Sequence, residues 1–296
     1  MRVFVTGATG FIGSSIVADL ISAGHEVVGL SRSDAGTEVL VRAGATVLRG
    51  DVNDLDTLRN AAEAADGIIH TAFNHDASDL KQHSENDRKV IATLGAALAG
   101  THRPLVIASG TGLVQSATGR PVTETDAHAK SAVFPRAATE EAADALIDQG
   151  ENVMVMRLPQ VHDMRRQGRI QWHIDIATKQ GHVAYVGEGL NRVPAVHVSD
   201  AARLFRGALE KGEAGARYHA VAEEGVTLRE IAEAIGERLR LPVGPITPEE
   251  APEYYGWLAE LAIMDLPASG ALTQQRLDWV PTGPDLLTDL RDRTTT

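Results

Sequence analysis

Three glycines spaced three apart, Gly7, Gly10 and Gly13 in "VTGATGFIG", lie between an apolar run and an amphipathic one. Such spacing permits a tight turn, lets backbone approach a pyrophosphate, and lets a helix pack close to a strand. Unpaired amides at the helix start then face the phosphates. The chemistry implied is dinucleotide binding. At the end of the second apolar run, "GLSRSD" places Ser31 and Arg32 where an acid would otherwise hold a ribose 2′-hydroxyl. A guanidinium suits a 2′-phosphate, which favours NADP(H). The competing reading turns Arg32 to solvent, makes Asp34 the ribose contact, and admits NAD(H). Asp51 in "RGDVND" falls near the adenine edge, or caps the following helix. Further on, Arg136 and Glu140 in "FPRAATEEAADAL" are four apart and share one helical face. An exposed ion pair there contributes a few tenths of a kcal/mol. For proton transfer, the side chains to weigh are His75, His162, His197 and Tyr185. His197 reads as a tie between strand and helix, and Tyr185 as a residue of the core or of a smaller lobe.

These residues need a frame. "RVFV" (2–5), "EVVGL" (26–30), "ATVLRG" (45–50), "GIIHTA" (67–72), "LVIAS" (105–109) and "NVMVMRL" (152–158) read as strands buried on both faces. Helical patterns fall between them at 11–24, 55–65, 87–100 and 136–150. In the first, Ile12, Ile16 and Leu20 recur every fourth residue before Gly24. Such alternation predicts an α/β fold with a parallel, doubly wound sheet of the Rossmann type. The expected division is a dinucleotide-binding core over 1–158, then 159–296 completing the sheet and adding a smaller substrate lobe. Within the latter, 169–181, 198–212, 227–239, 248–264 and 269–279 read as helical, and 182–187 and 217–221 as extended. The closing "RDRTTT" is expected to fray.

Composition limits the alternatives. There is no cysteine, which excludes disulfides, zinc–thiolate sites and thiol catalysis. A net charge of −12 disfavours nucleic acid. The short basic stretch "MRRQGR" (164–169) reads as a solvated loop. No signal-peptide pattern opens the chain and no run of 18 apolar residues occurs, so a membrane span is not expected and a cytoplasmic location is the default. The spacing shows no metal-binding cluster such as HExxH, no Walker A loop and no G-x-S-x-G elbow.

Taken together, "TGATGFIG", "GD" at 50–51 and "HTAF" at 70–73 resemble the short-chain dehydrogenase/reductase superfamily, in its extended and atypical branch of epimerase/dehydratase-like proteins. "ASGTG" (108–112), "RLPQVH" (157–162), "VPAVHVSDAARLF" (193–205), "YHAVAEEG" (218–225) and "ASGALTQQRLDW" (268–279) extend the resemblance along the whole chain, towards a bacterial subgroup of oxidoreductases. It implies that Thr9, Phe11, Ile12, Val52, Thr71, Ala72 and Phe73 line the cofactor beside the glycines, and that Ser109 or Thr111 binds the substrate oxygen. It also implies a Tyr proton donor and a Lys four residues on. Arg136 and Glu140 stand at those positions, which puts the usual proton relay in doubt. The subgroup shares that Arg-x-x-x-Glu pattern. Glu140 would then accept from nicotinamide ribose hydroxyls and Arg136 would stabilise an oxyanion. The loop after the sixth strand makes His162 the first choice of proton donor. Three activities remain open: an NADP(H)-dependent oxidoreductase acting on a small carbonyl, alcohol or imine; an epimerase or dehydratase using its nucleotide transiently; and a non-catalytic nucleotide sensor. The partner expected is a small-molecule substrate, with a homodimer through two helices as an option that the resemblance offers.

Overall fold

The computed structural model describes residues 1–74, 79–114 and 119–292. His75 and the terminal residues 293–296 lie outside them, so the proton-donor reading of His75 and the expected fraying are not addressed.

Seven parallel strands make the main sheet: β1 (Arg2–Thr6), β2 (Glu26–Ser31), β3 (Thr46–Arg49), β4 (Gly67–His70), β5 (Leu105–Gly110), β6 (Val153–Leu158) and, after an excursion through β7 (Gln160–His162), β8 (Val183–Val186) and β9 (Arg192–His197), β10 (Arg217–His219). The order across the sheet is β10-β6-β5-β4-β1-β2-β3. It reverses direction beside β1, and in open sheets of this kind ligands bind at the carboxyl ends of the strands at that point. Alternate strand residues feed opposite cores. Val3, Val5, Ile69, Val106 and Met154 pack under α1 (Phe11–Ser22) and α7 (Val198–Lys211). Phe4, Ile68, Leu105, Ile107 and Val155 pack under α3 (Leu55–Glu63), α4 (Leu80–Leu98) and α5 (Ala138–Ile147).

The apolar runs are thus strands, as their composition predicts. A helix not read from the sequence, α2 (Asp34–Ala43), fills the interval after β2, with Ser33 Oγ accepting from the Gly36 amide.

The second lobe is built from α6 (Ile170–Gln180), α8 (Leu228–Leu239) and the pairs β8 with β12 (Val243–Ile246) and β9 with β7 and β11 (Glu223–Thr227). Ile170, Ile174, Val183, Ile231 and Leu286 share its core. The helix expected over 248–264 is broken into α9 (Ala251–Tyr255), a 3-10 turn and α10 (Ala259–Ala262), because Gly256 takes a positive φ of 57°. Tyr254, Tyr255 and Leu258 pack into core there, and Trp172 meets Trp257 edge-on at 4.8 Å. The chain ends through α11 (Ala271–Leu277) against the first lobe and α12 (Leu286–Arg291) against α8.

Two glycines decide how tightly the first turn closes. Gly7 has φ +68°, and a Cβ on it would lie 2.7 Å from the Ala72 amide nitrogen. A Cβ on Gly13 would lie 2.0 Å from the Gly7 carbonyl oxygen. Gly207, inside α7, has nothing within 4 Å of such a position. Gly13→Ala is therefore expected to lower unfolding free energy by at least about 2 kcal/mol. Gly207→Ala should raise it by about 0.5–1 kcal/mol through helix propensity. Urea titration of the two variants checks both signs.

In the second lobe, burial first and the Arg169 charge second bring the His173 pKa down to about 4. Its ring packs edge-on to Tyr255 at 5.4 Å. In the unfolded chain it would titrate near 6.5. Between those values the unfolded chain holds more protons, so stability is full above pH 6.5 and drains as pH falls toward 4. His173→Gln should flatten the stability curve across that window by on the order of 2 kcal/mol, measured by denaturation at pH 7, 5.5 and 4.5.

Candidate functional site

The carboxyl ends of β1, β4, β5 and β6 lie side by side, with Thr6 opposite His70 and Ser109 opposite Arg157 in register. The glycine turn crosses their edge. No side chain caps α1 at Gly10, and its first turn carries no acid. The helix therefore offers its opening amides and the positive end of its dipole to an anion. The close approaches at Gly7 and Gly13 leave backbone where side chains would obstruct a diphosphate. These residues fit a dinucleotide. Thr9 is exposed, and Phe11, Ile12, Thr71, Ala72 and Phe73 are half-buried along the same edge. The Ala72 amide and the Thr71 hydroxyl are both tied to Thr6, at 3.4 and 2.9 Å.

At the end of β2, Ser31 is buried and its hydroxyl donates to the Ser33 carbonyl at 3.1 Å. It shapes the turn, while Arg32 projects into solvent with Nη1 3.7 Å from Asp51 Oδ2. Asp34, the competing ribose contact, is exposed and lies 3.2 Å from Arg49. Asp51 accepts from the Asn53 amide at 2.9 Å. The cap of α3 is Asp54, which takes the Thr57 amide, so the capping alternative for Asp51 does not hold. Val52 packs partly against the core on the α3 side.

Beside β5, two buried acids sort the cations. Glu140, without exposed surface, receives Arg157 Nε on Oε1 and Arg157 Nη2 on Oε2, each at 2.8 Å, and the Ser109 hydroxyl on Oε1 at 2.8 Å. Arg217 Nε adds a contact at 3.4 Å. Burial alone would push Glu140 up, but the Arg157 fork and the Ser109 hydrogen bond outweigh it and hold the carboxylate below its ordinary range. The exposed Arg136–Glu140 pair anticipated from spacing does not form. With both oxygens engaged and no surface, Glu140 is not placed to take ribose hydroxyls.

Arg136 turns to the other acid. Its Nη1 donates to Asp87 Oδ2 at 3.1 Å and to Thr139, whose own hydroxyl donates to Asp87. Nη2 reaches the Ala108 carbonyl at 3.4 Å, and the guanidinium lies 3.8 Å above the centre of the Phe73 ring. Burial lowers the Arg136 pKa, with the Asp87 and Glu140 charges opposing it. Asp87 is buried too. Desolvation would raise its pKa, but the hydrogen bond and charge of His70 and the charge of Arg136 hold it low. His70 Nε2 lies 2.9 Å from Asp87 Oδ1, and its Nδ1 lies 2.7 Å from Thr6 Oγ1. Carboxylates only accept, so Nε2–H donates to Asp87, and Nδ1 pairs with the Thr6 hydroxyl. Thr6, His70, Asp87 and Thr139 thus form a line ending at Arg136. None of the four was singled out in the sequence. The available signal was Asp87's place on the buried stripe of α4, with Ser84, Ile91 and Leu94.

Ser109 already gives its proton to Glu140, so it offers lone pairs to a ligand. Thr111 is buried where β5 runs into a 3-10 turn. His162 is a correction. It sits fully buried in the second lobe, with Nδ1 2.7 Å from Asp289 of α12 and its ring edge-on to His197 at 5.7 Å. Burial first drives its pKa down. It joins neither Ser109 nor Arg136, and its place as proton donor does not stand. His197 Nδ1 accepts from the Ser199 amide at the start of α7, the strand-to-helix tie that its position suggested. Tyr185 lies under Arg229 in the second lobe, with 5.2 Å from guanidinium to ring centre.

Residues 3–222 match the family described as NAD dependent epimerase/dehydratase. An uncharacterised protein of Schizosaccharomyces pombe is 46% identical over 98% of each chain. One from Saccharomyces cerevisiae is 38% identical, again over 98% of each. A dTDP-glucose 4,6-dehydratase of Streptomyces venezuelae, solved with NAD bound, has a TM-score of 0.78 at 20% identity, covering 98% of this chain and 96% of its own. That last likeness concerns the fold. Joined to the sequence match and to a glycine turn that fits a dinucleotide, these findings establish that the chain belongs to the NAD dependent epimerase/dehydratase family.

Proposed function

We propose that the chain is an NADP(H)-dependent oxidoreductase acting in the cytoplasm on a small carbonyl, alcohol or imine, with Arg136 in the electrophilic role. The observation that carries this reading is the placement of Arg136. Its charge is fixed from behind by Asp87 and Thr139 and faced by Phe73, at the sheet edge where the nicotinamide of a bound dinucleotide would lie. The cofactor supplies the hydride. Arg136 holds the oxyanion as negative charge builds on the substrate oxygen, from a donor already oriented and partly desolvated. Thr111 is the second candidate donor, since the Ser109 proton is committed to Glu140. A guanidinium keeps its proton at any working pH, so the proton that completes a reduction comes from solvent. Glu140 acts by position: it holds Arg157 and Ser109 under the site.

Arg136→Ala is expected to retain NADPH affinity within about threefold and to lose about 100-fold or more in turnover, with Arg136→Lys in between. Cofactor oxidation across a panel of carbonyls and imines reads this out. Unchanged turnover removes Arg136 from the chemistry. Product without net cofactor oxidation identifies an epimerase or dehydratase, and binding without turnover by the parent protein identifies a sensor.

The NADP(H) preference rests on Arg32, exposed at the end of β2 with only a loose contact to Asp51. Arg32→Ala should raise the Kd for NADPH about tenfold or more and leave that for NADH nearly unchanged. Fluorescence titration with the two nucleotides gives the ratio, and equal weakening of both would refute the preference.

A further inference from the structure

The turn 163–169, whose arginines read as solvated in the sequence, is a built element. Asp163 Oδ1 accepts the amides of Arg165 and Arg166 at 2.7 and 2.6 Å, and the Asp163 amide returns to the Arg166 carbonyl at 2.9 Å. Two buried glutamines brace it from inside. Gln167 Nε2 donates to the Asp163 carbonyl at 2.7 Å, while Gln160 donates to the Gln167 carbonyl and accepts the Arg169 amide at 3.1 Å. From this turn the exposed Arg166 reaches back to the first lobe. Its guanidinium lies 5.7 Å from the centre of the Phe11 ring. Phe11 is the first residue of α1, immediately after Gly10.

A diphosphate brings negative charge to that helix start, yet residues 5–13 include no Lys or Arg, and the chain as a whole carries −12. Backbone amides and the helix dipole supply only partial positive charge. Arg166, held beside the entrance to α1 by a braced turn, brings a full positive charge there. We infer that Arg166 binds the dinucleotide's diphosphate from the second lobe, opposing the glycine turn, through charge-assisted hydrogen bonds to phosphate oxygens. This rests on the reading that the glycine turn holds a nicotinamide dinucleotide. It makes the cofactor a bridge between lobes.

The test is calorimetric titration of the intact protein and of Arg166→Ala, Arg166→Lys and Arg165→Ala with NADPH and with ADP-ribose, which keeps the diphosphate and lacks nicotinamide. Thermal melts verify that each variant is folded. The expected result is about tenfold weaker binding of both ligands to Arg166→Ala, a smaller loss in Arg166→Lys, and parent-like binding by the neighbouring Arg165→Ala. Parent-like affinity of Arg166→Ala for both ligands overturns the inference while leaving the cofactor reading intact. So does weakened NADPH binding with unchanged ADP-ribose binding, which would assign Arg166 to the nicotinamide end. A lower melting temperature with unchanged affinities would reduce the Phe11 contact to a packing role. If the parent protein binds neither ligand, the cofactor reading itself falls and takes this inference with it.

Discussion

A buried carboxylate needs a positive partner or a full set of donors, and this need arranges the sheet edge. Asp87 and Glu140 both lie under the ends of β4 to β6, away from water. Ionised and unpaired, either would cost several kcal/mol. Glu140 is satisfied by the Arg157 fork from the adjacent strand. Asp87 is satisfied by His70 on one oxygen and by Thr139 and Arg136 on the other. The pairing leaves Arg136 as the cation at the edge, half engaged and stacked on Phe73. The position of one acid on α4 therefore sets where the Arg136 charge sits at that edge.

On the proposed reading, Arg136 and Glu140 stand where the resembled branch carries a tyrosine and a lysine. A tyrosine at position 136 would present a hydroxyl whose proton a neighbouring cation makes easier to lose. Arg136 presents a permanent charge and several donors instead. The lysine position, held by Glu140, is withdrawn from the ligand and turned to support. What remains favours holding a developing anion over passing a proton. The line Thr6–His70–Asp87–Thr139 holds the guanidinium from behind, so on the proposed reading little reorganisation is needed when charge appears on the substrate.

Local pattern carried most of the first lobe. Continuous Val/Ile/Leu runs showed strands buried on both faces, and the glycine spacing showed the turn that begins α1. Patterns of three to five residues did not announce β7, β11 or β12, because strands so short owe their pairing to distant partners such as Glu223 opposite Ala195. His162 misled for a related reason. Its residue type suggested acid–base work, but its surroundings are set by Asp289, 127 residues later in the chain. Spacing singled out Arg136 and Glu140 but wrongly paired them, since Arg136 sits in the 3-10 turn ahead of α5 and their partners, Asp87 and Arg157, come from another helix and a strand. Helical spacing says which residues share a face. It does not say what opposes that face.

The first-lobe sheet is finished by residues far along the chain. Val3 and Val5 share a core with Leu204, Phe205 and Tyr218, and β10 docks beside β6 only after the second lobe has begun. Trp279 then closes over α7, its indole donating to the Asp200 carbonyl at 3.1 Å. During synthesis the face shared by α1 and α7 is therefore completed only once well over two hundred residues have left the ribosome. The first-lobe core cannot close before residues of the second half are present, which couples the folding of the two lobes.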